Sequence, residues 1–261
     1  LLDAADQALR QSGYDQRPFD RMRTGVVVGT LFSTEFGDEL QMGLRLTDFE
    51  ATLKSALTQR GVSAADADRM TTAYDAALLR HMPALIDETG SFTASTMASR
   101  ITKTFDLMGG ATAIDAGDAS SSAALQSAID MLRIGECDMM LLASCDNTLS
   151  FATFESMARR GVLSRTGRSA PFSRSADGVV PGEGGCALLL KRLSDAQRDG
   201  DRIFAVIRGV GAAWNVEPEL GLERAASRAL SQARLTGDDV AAIEAAANGL
   251  PKVDAAEANV L

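Results

Sequence analysis

Residues 111–125 read Ala-Thr-Ala-Ile-Asp-Ala-Gly-Asp-Ala-Ser-Ser-Ser-Ala-Ala-Leu. An apolar run over 111–115 predicts a strand, a corner of small residues follows, and the pattern over 121–134 predicts a helix. Such a corner exposes one side chain and directs free backbone N–H groups and the positive end of the helix toward it. Nucleophile elbows are built in this way, and so are ordinary helix starts capped by Asp or Ser. Taken alone, the stretch leaves both interpretations open.

The rest of the chain alternates apolar runs with helical patterns, which is typical of an α/β fold with buried strands. Residues 1–13 and 221–233 predict helices, and a polar helical insertion covers about 31–90. The predicted strands outside the quoted stretch are 24–30, 139–144, 186–191, 203–209 and 240–245.

The composition of the chain excludes several classes of function. Its 261 residues include 26 Lys and Arg against 35 Asp and Glu, so the net charge is −9. An acidic chain without a cationic run binds nucleic acid and anionic membranes poorly, and no apolar run is long enough to span a bilayer. With one histidine and three scattered cysteines, we expect no metal and no cofactor. Reduced thiols indicate a cytoplasmic protein.

The quoted stretch resembles the active-site elbow of the β-ketoacyl synthases, condensing enzymes of the thiolase superfamily, whose pattern is I-D-A-A-C-A-S-S-L or I-D-T-A-C-S-S-S-L. Residues 132–138 (LRIGECD) and 190–196 (LKRLSDA) resemble the family's L-R-x-G-E-C-D and L-K-R-L-x-D-A. Residues 91–109 resemble the segment ending in A-x-R-I-x-x-x-F-D-L-x-G. Residues 171–184 resemble P-F-D-x-x-A-D-G-F-V-x-G-E-G, and its candidate motif residues here are Asp177, Gly178, Gly182, Glu183 and Gly184.

The resemblance implies a fold class and a domain organisation. The fold would be α/β and thiolase-like, with layered α-β-α-β-α architecture formed by two related halves that dimerise through sheet edges. Residues 1–261 would form one ketosynthase-like domain, comprising the N-terminal half and the start of the second half. This domain would be incomplete at both ends, because the family's first strand would precede Leu1 and its second histidine and lysine would follow Leu261.

Two positions depart from the family pattern at its catalytic residues. Asp118 stands where the family places its nucleophilic cysteine, whose thiolate carries the acyl chain as a thioester. A carboxylate suits the positive field of a helix start, but its acylation would give a mixed anhydride too reactive to hold a growing chain. Residues 244–258 align with E-A-H-G-T-G-T-P-L-G-D-P-I-E-A, which places Ala246 at the first catalytic histidine. A methyl group cannot stabilise the enolate charge that this histidine supports.

The candidate site therefore consists of the elbow and the helix N-terminus, without an intact catalytic residue. Its members are Gly117, Asp118, Ala119, Ser120 and Ser121. We expect Asp118 to cap the helix by accepting backbone N–H bonds. The three cysteines, predicted as small core residues that cannot replace the nucleophile, are Cys137, Cys145 and Cys186.

The resemblance and its departures together indicate a non-condensing subunit or domain of the chain-length-factor type. It would belong to a polyketide or polyunsaturated fatty-acid synthase, with the long insertion and the FDLMGG form over 105–110 favouring the iterative polyketide or polyunsaturated fatty-acid subgroup. Its partners would be an active ketosynthase, whose acyl tunnel it shapes in a hetero- or pseudo-dimer, and an acyl carrier protein. Two alternatives stay open, a residual malonyl decarboxylase or acyltransferase of the same family, and a non-catalytic scaffold that docks carrier protein. Whether the chain is an enzyme stays open with them.

Overall fold

A computed structural model describes residues 1–31, 42–81, 94–146 and 149–261. Its four strands form one sheet in the order β2-β1-β3-β4, with β2 and β3 parallel to β1 and β4 antiparallel to β3. The strand bounds are β1 Thr24–Gly29, β2 Ala111–Ile114, β3 Met139–Asp146 and β4 Gly184–Lys191. The four strands predicted before residue 192 are therefore confirmed, together with the α/β class.

Helices cover both faces of the sheet, which explains why β1 is a continuous apolar run. Val26 and Val28 pack with Ile101 on one face, and Val27 packs with Ala124 on the other. The helices are α1 Leu2–Gln11, α2 Leu46–Gln59, α3 Ala64–His81, α4 Ala94–Phe105, α5 Ser120–Arg133, α6 Phe151–Arg159, α7 Leu193–Arg198, α8 Pro218–Ala233 and α9 Pro251–Val260.

Two helices lie in the range of the predicted insertion. α2 and α3 pack against each other as an antiparallel hairpin joined by a short turn. The rest of the insertion, 32–41 and 82–90, lies outside the described residues, as do residues 91–93 of the segment 91–109.

The strands predicted at 203–209 and 240–245 are wrong, because neither segment pairs with another strand within the described ranges. The backbone of the first segment and of the residues after it approaches helix α8 instead. A Cβ atom on Gly209 would lie 2.2 Å from the carbonyl oxygen of Ala229, and the Val210 N–H donates to Oε1 of Gln232 at 2.6 Å. The N–H group of Val210, which in a strand would donate to a neighbouring strand, thus donates to a side chain of helix α8.

A chain of nine alternating charges closes the end of the sheet where β1 and β3 begin. Each member forms an ion pair with the next. In order, they are Arg17, Asp201, Lys191, Asp199, Arg198, Asp195, Arg192, Asp138 and Arg23. Most of them line a cavity of about 580 Å³. Arg192 also donates to the carbonyl oxygen of Leu132 at 2.8 Å, so this series of ion pairs is bound to the last turn of helix α5.

Candidate functional site

The turn between β2 and α5 is held by the side chain of Ser120. Its hydroxyl donates to the Gly117 carbonyl oxygen at 2.6 Å and accepts from the Ala116 N–H at 2.9 Å. Gly117 has a φ of +60°, the left-handed region that glycine adopts without a Cβ penalty. The two bonds and this conformation fold the chain sharply at the carboxyl end of β2, where Asp118 is exposed. The elbow geometry predicted for this stretch is present.

The elbow sits directly on strand β1. A Cβ atom on Gly29 would lie 2.7 Å from the Ser120 carbonyl oxygen and 2.8 Å from the Cα atom of Ser121. The same point is 2.8 Å from Oγ of Ser144 on β3, a buried atom that has no hydrogen-bond partner in the described part of the chain. A glycine is therefore required at the end of β1 for the helix start to approach the sheet.

The expectation that Asp118 caps helix α5 is wrong. The helix has Ala119 as its N-cap and no side-chain cap hydrogen bond. The Ser120 hydroxyl reaches back into the turn from the first helical position, so the local polar bonds belong to the turn rather than to a helix cap. Asp118 lies one residue before the N-cap, exposed at the turn.

The motif 171–184 and the loop that carries Ala246 form one unit. The Gly178 N–H donates to the Gly249 carbonyl oxygen at 3.1 Å, and a Cβ atom on Gly249 would lie 2.6 Å from the Gly178 carbonyl oxygen. Gly178 is buried with a φ of +145°, and its own Cβ position is 2.5 Å from the backbone of Ser164. Only glycine fits at these two close approaches.

Two buried carboxylates of helix α9 fix this loop. Glu257 accepts from the Ala246 N–H at 2.7 Å and from the Ala247 N–H at 2.9 Å. Asp254 accepts from the Gly249 N–H at 3.1 Å and from the Phe172 N–H at 2.9 Å. Their exposed fractions are only 6% and 3%, and each carboxylate is satisfied by backbone donors. Ala246, which the resemblance places at the position of the family histidine, thus presents a methyl group on a backbone held by hydrogen bonds.

Asp177 orders the segment after α6. Its carboxylate accepts from the Ser164 hydroxyl at 2.6 Å and from the N–H groups of Arg165 and Thr166 at 3.1 Å each. The Ser164 hydroxyl and these N–H donors hold the pKa of Asp177 below its usual range. Of the other motif residues, Gly182 and Glu183 are exposed before β4, and Gly184 begins that strand.

The segment 159–174 carries an exposed cluster of arginines in an otherwise acidic chain. It contains five arginines and no acidic residue. Arg159 pairs with Glu155, whereas four arginines take part in no ion pair within the described part of the chain. These four, named the arginine segment below, are Arg160, Arg165, Arg168 and Arg174. They lie on the same stretch as Phe172, which is bound to the Ala246 loop through Asp254.

The cysteines do not supply a replacement nucleophile at the elbow. Burial raises the pKa of the Cys137 and Cys145 thiols, which lowers their thiolate fraction. Cys137 is buried as predicted and donates to the Gly109 carbonyl oxygen at 3.2 Å. Cys186 was expected in the core but is exposed, because it lies on β4 at the margin of the described sheet.

The matches to known proteins agree with this geometry. The family described as "Beta-ketoacyl synthase, N-terminal domain" matches residues 1–196. "Polyketide synthase ThaG" of Burkholderia thailandensis is 38% identical over 178 residues, 66% of this chain and 3% of the relative. "Pikromycin polyketide synthase component PikAII" of Streptomyces venezuelae is 39% identical over 175 residues, 64% of this chain and 5% of the relative. The chain thus spans only a few per cent of these relatives' length.

Solved structures show the same fold. A "Ketosynthase from module 6 of the bacillaene synthase from Bacillus subtilis 168" superposes with a TM-score of 0.74 at 23% identity, over 99% of this chain and 39% of that one. A ketosynthase in complex with a type II polyketide synthase acyl-carrier protein gives 0.74 at 22% identity, over 99% and 60%.

The elbow, its helix and the ordered motifs define a thiolase-like α/β protein. The chain belongs to the β-ketoacyl synthase family. In the described ranges, no helix is both long and apolar enough to cross a membrane.

Several residues that build the site were not predicted as functional. The roles of Glu257 and Asp254 were missed, although both lie in the aligned 244–258 segment. The signal that could have identified them is the spacing of the two acids, which lie three residues apart on a helix that follows a Gly-containing loop. Carboxylates at such positions commonly accept hydrogen bonds from free N–H groups. Ser120 was named, but its bond to Gly117 was not foreseen.

Proposed function

We propose that the chain is a non-condensing ketosynthase-like domain over residues 1–261, of the chain-length-factor type. It would work within a polyketide or polyunsaturated fatty-acid synthase and shape the acyl tunnel of an active ketosynthase partner. One feature of the sequence carries the proposal: Asp118 and Ala246 are the residues that the family resemblance aligns with the nucleophilic cysteine and the first histidine.

The elbow supports this proposal through the chemistry of the group that it presents. Asp118 is exposed at the turn, where an incoming thioester carbonyl would meet a carboxylate. Attack by the carboxylate and loss of the thiol would give a mixed anhydride, which water cleaves readily. A stable acyl-enzyme therefore requires a thiol that this position lacks.

The Ala246 loop supports it through its hydrogen bonds. A decarboxylating condensation needs donors aimed at the enolate oxygen, and removing one such donor typically costs about 10²–10³ in rate. The N–H groups of Ala246 and Ala247 are already bound by Glu257, and the side chain is a methyl group. The loop thus offers no free donor at the histidine position, which argues against the alternative of a residual decarboxylase.

The sheet supports pairing with a second ketosynthase-like chain. Within the described residues, β2 bonds to β1 on one side only, and Ala111 and Thr112 are exposed. An unpaired, small-residue edge strand accepts an equivalent strand from a partner. The partner in this proposal is an active ketosynthase with an intact cysteine and two histidines.

A second candidate function, a scaffold that docks carrier protein, is favoured by the arginine segment. Its four guanidinium groups form no ion pair within the described residues, and their stretch is linked to the Ala246 loop through Phe172 and Asp254. Such exposed cations suit an acidic protein surface. The solved relative in complex with an acyl-carrier protein is a ketosynthase. We therefore expect Arg168→Glu and Arg174→Glu to weaken binding of acyl carrier protein and to reduce its salt dependence. Arg60→Glu, on an exposed arginine outside the segment, is the matched control.

The test of the first candidate combines the chain with an active ketosynthase, acyl carrier protein and malonyl units. The expected result is a product whose length depends on the presence of the chain. Carrier binding without any effect on product length would support the scaffold instead. Malonyl-dependent release of carbon dioxide by the chain alone would contradict both and favour the residual decarboxylase.

A further inference from the structure

The α2–α3 hairpin has two acidic residues at positions where a hairpin seam ordinarily carries apolar side chains. The less exposed positions of α2 and α3 recur at helical spacing, which marks the faces in contact. On α2 these positions are Leu46, Glu50, Leu53 and Leu57, and on α3 they include Ala67, Thr71, Asp75 and Leu78. Glu50 and Asp75 are thus the two charged members of an otherwise mainly apolar seam.

The register of the hairpin brings these two acids together. Lys54 pairs with Asp68 across the two helices, as expected for an antiparallel hairpin. Taken in antiparallel order, the less exposed positions set Leu57 opposite Ala67, Leu53 opposite Thr71 and Glu50 opposite Asp75. Oδ1 of Asp75 is buried and has no hydrogen-bond partner among the residues that the structure describes.

The environment of Glu50 favours its protonated form. Burial, followed by the facing Asp75 carboxyl, raises the pKa of Glu50. Lys54, an exposed cation of α2, is engaged by Asp68. The other charged groups at this end of the described hairpin are exposed, and they are Arg45, Asp48, Arg80 and His81.

We propose that α2 and α3 form a proton-controlled hairpin, in which Glu50 takes up a proton from solvent and donates it in a hydrogen bond to Oδ1 of Asp75. With the proton bound, the buried oxygen gains its missing donor and the seam closes. When the proton returns to solvent, two carboxylates face each other and repel, and the hairpin loosens. An acid whose pKa is raised by folding stabilises the fold below its unfolded pKa, and this stabilisation is lost as the pH rises through the folded value.

Amide hydrogen exchange of the purified chain tests the proposal, after correction for the intrinsic pH dependence of exchange. We expect the amides of α2 and α3 to exchange several-fold faster, relative to α5, at about pH 8 than at about pH 4, which is close to the ordinary pKa of a carboxyl group. Protection of the hairpin that is unchanged or greater at the higher pH would overturn it.

Two variants make the test specific to the pair. Glu50→Gln keeps a donor toward Asp75 without a titrating proton, so the hairpin is expected to stay protected at both pH values. Asp75→Asn serves the same purpose from the other helix, should the first variant fold poorly. Asp48→Asn removes one exposed charge from α2 and is the matched control, which should retain the pH dependence of the natural chain. A loss of pH dependence in Asp48→Asn, or its persistence in Glu50→Gln, would contradict the proposal.

Discussion

Gly178 and Gly249 lie backbone to backbone, with the N–H of the first bound to the carbonyl oxygen of the second at 3.1 Å. The contact joins two segments about seventy residues apart in sequence, the motif 171–184 and the loop that carries Ala246. Because a Cβ atom on Gly249 would lie 2.6 Å from the Gly178 carbonyl oxygen, the two backbones can approach only as glycines.

Gly249→Ala is expected to lower the free energy of unfolding by about 1–3 kcal/mol, the cost of a left-handed conformation for a residue with a Cβ atom. The φ of Gly249 is +82°, and the added methyl also meets the Gly178 backbone. Gly182→Ala is the control, since a Cβ atom there has no neighbour within 4 Å. Chemical denaturation measures both, and equal midpoints for the two variants would contradict the account of this contact.

Ser120→Ala is expected to destabilise the chain by about 1–3 kcal/mol, because the turn loses two hydrogen bonds that each contribute about 0.5–1.5 kcal/mol. Asp118→Ala, two residues away and exposed, should stay within about 0.5 kcal/mol of the natural chain. Thermal unfolding of the two variants measures both effects. A larger loss of stability for Asp118→Ala than for Ser120→Ala would indicate that the Asp118 carboxylate caps the helix.

Glu257→Gln replaces one of two acceptor oxygens by an amide donor that faces the N–H of Ala246 or Ala247. A buried donor left without an acceptor costs about 1–3 kcal/mol, and the loop over 244–250 should become more susceptible to proteolysis. Glu223→Gln on an exposed face of α8 provides the same chemical change without a buried partner. Identical cleavage rates for both variants would show that Glu257 does not hold the loop.

Asp138→Asn tests the chain of alternating charges through its pH dependence. Arg23 and then Arg192 lower the pKa of Asp138 to about 2 by hydrogen bonds to its carboxylate. A lowered pKa stabilises the fold above the unfolded value of about 3.9 and loses that effect as the pH falls through about 2.

We therefore expect Asp138→Asn to be less stable than the natural chain at pH 7, with the difference shrinking between about pH 4 and pH 2. The side chain of Asp138 is 43% exposed, so solvent screening keeps the effect to about 1 kcal/mol or less. Asp238→Asn, an exposed acid outside the ion-pair chain, should show no such convergence. A difference that persists unchanged at low pH would mean that Asp138 acts by packing rather than by charge.

The sequence correctly predicted the four strands that pair with one another in the described sheet. β1 and β3 were recognisable because their apolar runs between turn residues are buried on both faces, as in Val26–Val28. β2 and β4 are apolar runs of the same kind, but they are only partly buried. The segments 203–209 and 240–245 have the same apolar character, but a strand also needs a paired neighbour, and here the chain packs against α8. The pattern of apolar residues indicates which side chains are buried. It does not indicate which strand or helix will lie beside a given segment of backbone.

The elbow was predicted from its residue types, but the hydrogen bonds that hold it were not. The assignment of Asp118 and Ala246 to the family's catalytic positions rests on aligned motifs and stays a prediction. The bond of Ser120 into the turn depends on the left-handed conformation of Gly117, which residue types alone do not specify. The carboxylates that hold the Ala246 loop come from α9, and their burial becomes visible only when that helix is packed.

The most direct test of the non-condensing proposal is the intact mass of the purified chain after incubation with an acyl thioester of carrier protein. The natural chain is expected to show no stable acyl adduct, because the carboxylate of Asp118 cannot hold one. Asp118→Cys is the positive control and should gain the mass of one acyl group, since a thiol at this helix start has a lowered pKa. It should still form no condensation product with malonyl carrier protein. A stable adduct on residues 115–121 of the natural chain, or condensation product from either protein, would contradict the proposal.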